Sequence, residues 1–351
     1  MENTKSPLNR QKVNDFLLSY ALYIILGLMI VVVISINPAF LSISNFTKIL
    51  TQASTRGILA LGAAGMIVLA GTDLSAGRIV GVCAAVSASL MQSVTYASRM
   101  YKNITTDLPV IVPLVLSIAI AMVFCAINGF GVSKLNLHAF IVSLGTQLIA
   151  FGVTCIYIDS QENGAQALSS FNQTFLNFVN GGFEIIKKKE DGSGGFTLPY
   201  LIIYFAVAAV IMWVVWNKTA LGKNMFAIGG NKEAAAVSGV NIAKNIMGVY
   251  LVAGVLYGVA ACLEAGRIQS VNTGTGLNYD LDAISGCVIG GVSFSGGVGT
   301  IPGVVIGVVL LQMINYSLSF LGVNPYLQYI IKGLIIILAV SIDVRKYLVK
   351  K

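Results

Sequence analysis

The residue types that usually perform chemistry are sparse in this sequence, and their spacing matches no common catalytic motif. His138 is the only histidine, and the chain has neither an HExxH motif nor a Ser-His-Asp arrangement that this histidine could serve. The only Gly-Lys pair, Gly222-Lys223, has Asn217 at the position of the first glycine of a P-loop. The sequence therefore predicts no catalytic residue, no metal or other cofactor, and no ATP binding by this chain itself.

Six charged residues lie within or next to long apolar runs: Arg56, Asp73, Arg78, Glu264, Arg267 and Lys332. A charge at the centre of a bilayer costs at least about 2.5 to 3.5 kcal/mol unless it is paired or reaches water. We expect Asp73 to pair with Arg78 across a glycine-rich segment. We also expect Glu264 to pair with Arg267 at the end of an apolar run, and Lys332 to extend its ammonium group to an interface.

The composition that surrounds these charges is that of a membrane protein. Only 36 of 351 residues are charged, 56% are hydrophobic, and the mean hydropathy is +0.84. Soluble domains carry about a quarter charged residues, so a bilayer is the expected solvent. The formal net charge of +8 does not indicate a nucleic-acid partner, because the basic residues stand at the ends of apolar runs and act as topology signals.

Apolar runs of roughly 20 residues, the length that crosses a bilayer as a helix, recur along the whole chain. They are continuously apolar, which favours helices over the alternating strands of a barrel. The predicted fold class is all-α: a polytopic integral membrane protein with about ten transmembrane helices, some short or broken. The runs span residues 16–36, 52–70, 78–93, 109–132, 139–158, 198–216, 245–264, 281–291, 301–320 and 325–342.

Basic residues predict how these helices are oriented. If ten crossings start from an inside N-terminus, residues 217–244 form a cytoplasmic loop and residues 344–351 a cytoplasmic tail, and both are rich in lysine and arginine. Residues 159–197 then form the largest extracytoplasmic loop. We expect a single transmembrane domain over residues 1–351 in a cytoplasmic membrane, with both termini in the cytoplasm.

Two apolar runs end in glycine-and-serine segments, at residues 70–78 and 290–299. Broken helices are tolerated at membrane depth only where protein or a water-filled path satisfies their backbone groups, so such breaks mark transport routes or moving joints. Ordinary turns between helices are the alternative interpretation. A shift of 220 residues indicates a faint internal repeat that superposes Gly71 on Gly291, Ser75 on Ser295 and Gly77 on Gly297.

The 217–244 loop contains a short segment with the signals of a helix. Asn231 can cap its N-terminus, Glu233 lies in the first turn, Ala234 and Ala235 favour the helical state, and Gly239 can end it. A helix of about two turns is stable only when it packs against something. The spacing fits a helix that docks on a cytoplasmic partner, and it equally fits a surface helix that only orders the loop.

Several segments resemble the permease subunits of bacterial ABC importers for monosaccharides. The resemblance lies in the Glu-Ala-Ala and Gly-Val residues of the 217–244 loop and in residues 71–78, 227–231, 263–268, 290–299 and 322–326. It covers nearly the whole chain and is greatest for galactose/methyl-galactoside permeases rather than ribose or xylose permeases. It implies that the segment from Glu233 to Gly239 is a coupling helix.

The resemblance further implies a homodimer, a cytoplasmic ATPase with two nucleotide-binding domains that binds ATP and Mg²⁺, and an extracytoplasmic sugar-binding protein. Candidate residues of the sugar path are Gly71, Asp73, Ser75, Gly77, Gly291, Ser295 and Gly297 in the breaks, and Asn128, Gln147, Asn315, Tyr316 and Gln328 in the helices. Each of the latter five also fits a helix–helix contact. The rivals are a ribose or xylose permease, a secondary sugar transporter that needs no ATPase, and a membrane scaffold or enzyme subunit.

Overall fold

The computed structural model describes residues 27, 30–160, 162–186 and 195–348. Most of the predicted first run, 16–36, lies outside these residues, and its described end is helical over 30–36. The first part of the chain then forms a 3₁₀ turn at Pro38–Phe40 and four helices. These are α1 (Ile43–Val68), α2 (Ala76–Leu90), α3 (Ile111–Ser133) and α4 (Ala139–Ile158).

The middle of the chain combines short strands with helices. The elements are β1 (Leu168–Ser169), α5 (Gln173–Asn180), β2 (Gly182–Ile186), β3 (Phe196–Pro199), α6 (Tyr200–Lys218), α7 (Ala220–Gly230) and α8 (Lys232–Val237). β2 and β3 pair antiparallel, with Phe183 opposite Leu198. The tip of the predicted extracytoplasmic loop, residues 187–194, lies outside the described residues.

The last part contains the central helix of the bundle. Its elements are α9 (Ile242–Ile268), β4 (Ser270–Val271), α10 (Tyr279–Ile289), α11 (Ile301–Phe320) and α12 (Pro325–Leu348). α9 packs on α1, α2 and α3. Gly254 and Gly258 of α9 face the backbone of α3, where a Cβ at Gly254 would lie 2.8 Å from the Met122 Cα. Small residues let membrane helices approach this closely and gain packing energy.

All nine predicted runs that fall within the described residues are helical, which confirms a mostly helical polytopic protein. Five helices, α3, α4, α6, α9 and α11, are long and apolar enough to cross a membrane. α2 and the first part of α12, Pro325–Leu338, are shorter apolar helices. The total of about ten crossings stays a prediction.

The bundle has two distinguishable ends. The short strands lie at one end, here called the hairpin end, where β1 pairs with β4 after α9. At the same end, the Asn180 side chain of α5 donates a hydrogen bond to the Gly266 carbonyl of α9 at 2.8 Å. The other end, here called the α8 end, holds α7, α8, the end of α1 and the glycine-rich segment after α10, since Gly229 packs against Val68 and Gly297.

α1 and α10 end in the same backbone geometry. Ala70 and Gly291 both have positive φ, +59° and +85°, and the following amides close a six-residue loop. The Gly71 amide donates to the Met66 carbonyl at 2.9 Å, and the Val292 amide donates to the Cys287 carbonyl at 2.9 Å. This is the Schellman pattern of helix ends. It equates Ala70 with Gly291, a shift of 221 residues, so the alignment by 220 is wrong by one residue at this point.

Candidate functional site

The short helix α8 forms as the local signals predict, and it is exposed. The Asn231 side chain caps it by accepting a hydrogen bond from the Ala234 amide at 2.9 Å. Gly239 has a φ of +83°, and its amide and that of Val240 close the helix end by donating to carbonyls of α8. Glu233 and Ala234 are exposed, and within α8 only Ala235 is buried. Such a helix presents nearly all of its surface to a partner.

Backbone contacts connect the end of α7, just before α8, to the two glycine-rich breaks. The Gly297 amide donates a hydrogen bond to the Val68 carbonyl at 2.8 Å, which joins the second break to the end of α1. Gly229, two residues before Asn231, packs on that bond: a Cβ there would overlap the Val68 oxygen and lie 2.7 Å from the Gly297 nitrogen. We call Val68, Gly229 and Gly297 the backbone junction. Ordinary contacts begin near 3.4 Å, so only glycine fits at position 229.

The first break contains a buried polar network that is centred on Asp73. The Asp73 carboxylate accepts hydrogen bonds from the Ser75 amide at 2.9 Å, from the Ser75 hydroxyl, and from the Tyr257 hydroxyl at 3.2 Å. The Asn128 amide donates to the Ser75 hydroxyl at 2.8 Å, and the Thr146 hydroxyl donates to Asn128 at 2.6 Å. All five side chains are buried. The network ties the break to α3, α4 and α9.

The expected pairing of Asp73 with Arg78 is wrong. Arg78 donates to the Thr273 carbonyl at 3.2 Å and lies over the Phe151 ring, 4.3 Å from its centre. Asp73 is satisfied by neutral donors instead, because hydroxyl, amide and backbone N–H groups from three directions surround it. Several hydrogen bonds thus take the place of a cationic partner for this buried carboxyl group.

A second network lies towards the hairpin end and contains charges of both signs. Glu264 and Arg267 form a two-point pair with distances of 2.7 and 2.8 Å, which confirms the expected pairing. The Thr55 and Tyr279 hydroxyls donate to the same carboxylate, each at 2.7 Å. Arg56 lies 3.5 Å from Glu264 and over the Tyr279 ring. The network therefore joins α1, α9 and α10.

The expectation that Lys332 extends its ammonium group to a membrane interface is wrong, because this group forms an ion pair inside the bundle. Its ammonium group lies 3.2 Å from the Asp282 carboxylate, which also lies 3.9 Å from Arg56. Asp282 thus extends the Glu264 network from α10 to α12. Three positive and two negative side chains share this region of the bundle.

The other candidate path residues are distributed over the structure. Gly71 is half-buried beside Ala139. Gly77 packs against the Gly276 carbonyl, and Gly291 and Ser295 are exposed in the second break. Asn315 contacts Gln312 at 3.5 Å, Tyr316 donates to Asn45 at 2.7 Å, and Gln328 donates to the Val323 carbonyl at 2.8 Å. Gln147 is half-buried on α4. Only Asp73, Ser75 and Asn128 form one network.

The sequence interpretation missed five residues that the networks use. Thr146 and Tyr257 complete the Asp73 network, and Thr55, Tyr279 and Asp282 complete the Glu264 network. The available signal was a polar side chain inside or at the start of an apolar run. Such a signal does not identify the partner, which lies 15 residues away for Tyr279 and 184 residues away for Tyr257.

Known proteins resemble this chain over its full length. Residues 45–340 match the family described as branched-chain amino acid transport system / permease component. The chain belongs to this permease family. The galactose/methyl galactoside import permease proteins of Haemophilus influenzae and Escherichia coli are each 46% identical to it, over 99% of this chain and all of theirs. The ribose import permease protein of Bacillus subtilis is 33% identical over 92% of each chain.

No solved structure matches the chain. The permease is a transport subunit of an ABC importer and not an enzyme, and it crosses the inner membrane several times. Such a subunit works with an ATPase and a substrate-binding protein. The described residues include no group of three or more His, Cys, Asp or Glu side chains that could hold a metal ion.

Proposed function

We propose that the permease moves galactose or a methyl galactoside into the cytoplasm, in an importer that a separate ATPase powers. The observation that carries this proposal is the 46% identity, end to end, to two permeases that are named for these sugars. Ribose and D-allose permeases are 31 to 33% identical, so a ribose or xylose cargo is the second candidate.

In this proposal the α8 end faces the cytoplasm and the hairpin end faces outwards, with both termini in the cytoplasm. Lys218, Lys223, Lys232 and Lys244 lie in or next to α7 and α8, and basic residues favour the cytoplasmic side. The ATPase binds ATP and Mg²⁺, and the sugar-binding protein delivers its cargo to the hairpin end. Residues 217–244 are the coupling loop, and residues 159–197 are the extracytoplasmic loop.

The proposed coupling element is α8, from its cap Asn231 through Glu233, Ala234 and Ala235 to Gly239. Its exposed surface suits docking on the ATPase, and the backbone junction gives it a short rigid route to the ends of α1 and α10. An ATPase with two nucleotide-binding domains offers two docking sites, so a homodimer, which supplies two copies of α8, matches its symmetry. Motion of α8 would then open or close a path lined in part by the breaks.

Reconstitution in proteoliposomes tests the cargo and the source of energy together. The permease, its ATPase and its binding protein are expected to accumulate galactose with ATP, and to accumulate ribose or glucose more slowly. Faster ribose uptake would replace galactose by the second candidate. Accumulation by the permease without the ATPase, driven by an ion gradient, would overturn the proposal in favour of a secondary transporter.

A substitution within α8 tests the coupling role. Ala235→Trp places a large ring where a buried methyl group packs and so displaces α8. We expect sugar-stimulated ATP hydrolysis to be lost while the membrane-spanning helices stay folded, seen as unchanged elution on size-exclusion chromatography. Unchanged stimulation of hydrolysis would contradict the role of α8.

A further inference from the structure

A cleft with both polar and apolar walls opens at the hairpin end between α1, α5, β3 and the end of α9. Its volume is about 660 Å³, within the range of about 300 to 1,000 Å³ that is usual for small-molecule sites. The side chains that line it and carry the argument are Lys48, Thr51, Gln52, Asn180, Phe196 and Arg267. Neither the Asp73 network nor the backbone junction contributes to its walls.

A polar face of α1 forms one wall of the cleft. Polar residues recur there at each helical turn, at Ser44, Thr47, Lys48, Thr51, Gln52 and Thr55. Residues three and four positions apart share a helix face, so these side chains form one stripe. The stripe leads from the cleft to the Glu264 carboxylate, which Thr55 contacts at 2.7 Å. A polar face on a helix of a membrane protein is stable only against protein or a water-filled cavity.

The cleft offers donors and acceptors that have no partner among the residues that the structure describes. Gln52 makes no hydrogen bond to any residue that the structure describes, and it is half-buried in the wall. The hydroxyl groups of Thr47 and Thr51 donate to carbonyls of their own helix, each at 2.8 Å, which leaves their lone pairs free to accept. Asn180 uses its amide N–H on Gly266, so its carbonyl oxygen is also an acceptor.

Two cations line the cleft: Lys48 is exposed, and Arg267 is paired. The Arg267 guanidinium is paired at two atoms with Glu264, and that pairing fixes the arginine side chain in place. Its Nη1 group takes no part in the pair and can donate to a ligand. Phe196, on β3, adds an aromatic ring to the lining of the cleft. Water screens the exposed ammonium group of Lys48, and Glu264 neutralises Arg267. The donors, acceptors and aromatic ring that remain suit a neutral ligand with several hydroxyl groups better than an ion.

We propose that this cleft is a sugar-binding subsite, in which the ring of one neutral monosaccharide contacts Gln52, Asn180 and Arg267 and packs on Phe196. The subsite receives the sugar at the hairpin end before the sugar enters the membrane-spanning part. This inference rests on the proposed function, because it names the place where the cargo first binds. The polar stripe of α1 continues from the subsite into the bundle.

Protection from chemical labelling tests the subsite without the binding protein or the ATPase. Thr47→Cys introduces a thiol into the wall in full-length permease held in nanodiscs, and the rate of its reaction with a maleimide is measured. Millimolar galactose is expected to slow the reaction. When Gln52→Leu is added, we expect about a fivefold higher galactose concentration to be needed for the same protection, because one hydrogen bond to the sugar is lost.

Matched variants and ligands make the result decisive. Gln173→Leu changes the same residue type on the exposed face of α5 at the same end, outside the cleft, and should leave the protection intact. Galacturonate, which carries a negative charge, should protect less than galactose. Stronger protection by galacturonate would overturn the assignment to a neutral sugar.

Failure of the subsite can be told apart from failure of the proposed function. If the complete importer accumulates galactose, but neither galactose nor glucose nor ribose slows the labelling at Thr47→Cys, the subsite is overturned and the transport function stands. If Gln52→Leu permease supports galactose uptake with an unchanged KM, the role of Gln52 is overturned even when the labelling is slowed.

Discussion

Replacing Gly229 by alanine is expected to disconnect α8 from the breaks. The added Cβ would overlap the Val68 oxygen and lie 2.7 Å from the Gly297 nitrogen, and reaching ordinary contact at 3.4 Å requires the two segments to separate by at least 0.7 Å, the difference between these distances. Overpacking of this kind costs about 1 to 3 kcal/mol. If only one transport state has the closed junction, the balance of states shifts by about 5- to 150-fold.

Gly230→Ala is the matched control. A Cβ at position 230 has no other atom within 4 Å, and the residue lies in the same helix, α7, with the same gain of about 1 kcal/mol in helix propensity over glycine. Galactose uptake and sugar-stimulated ATP hydrolysis would be measured for both variants in proteoliposomes with the ATPase and the binding protein. We expect uptake to fall by about fivefold or more for Gly229→Ala and to stay near the unmodified rate for Gly230→Ala.

Two results would refute this reasoning. Unmodified rates of uptake and stimulated hydrolysis in Gly229→Ala would show that the junction does not transmit motion. Equal losses in both variants would show that α7 tolerates no alanine at all, for reasons unrelated to the junction. Thermal unfolding of both variants in detergent separates a loss of coupling from a loss of folded protein.

The remaining predictions concern the two polar networks. Tyr257→Phe removes one donor to Asp73 and should cost about 1 kcal/mol, seen as a lower unfolding temperature; no change would show that this bond contributes nothing. Glu264→Gln leaves two arginines without their main anion and should cost about 3 to 5 kcal/mol, seen as loss of folded protein on size-exclusion chromatography. Lys332→Ala removes one of the two cations beside Asp282 but leaves Arg56 at 3.9 Å, so it should destabilise the protein less than Glu264→Gln does, and an equally large loss of folded protein would contradict the assigned network.

Features encoded within a few residues could be predicted from the sequence. Continuous apolar runs gave helices because a bilayer span is long and its composition is distinctive. The caps of α8 followed from Asn231 and Gly239, whose side-chain or backbone properties act on the nearest turn. The pairing of Glu264 with Arg267 also spans a single helical turn.

Features that depend on tertiary packing could not be predicted in the same way. Asp73 has a cation five residues away, but its partners Asn128 and Tyr257 lie 55 and 184 residues away. Lys332 meets Asp282 across 50 residues. The helix ends at Ala70 and Gly291 are equivalent by backbone geometry, although identity of side chains aligned them one residue differently.

The bond between Val68 and Gly297 joins main chain to main chain, so no substitution at Val68 can delete its acceptor and only proline at 297 can delete its donor. A saturation mutagenesis experiment would therefore register this connection through side-chain volume and not through lost polarity. Position 229 should reject every larger residue, whether charged or apolar, whereas position 68 should tolerate isosteric changes. A glycine that is required because it has no side chain is sensitive to the volume of its replacement and not to the polarity. This pattern distinguishes it from a residue that acts through a functional group.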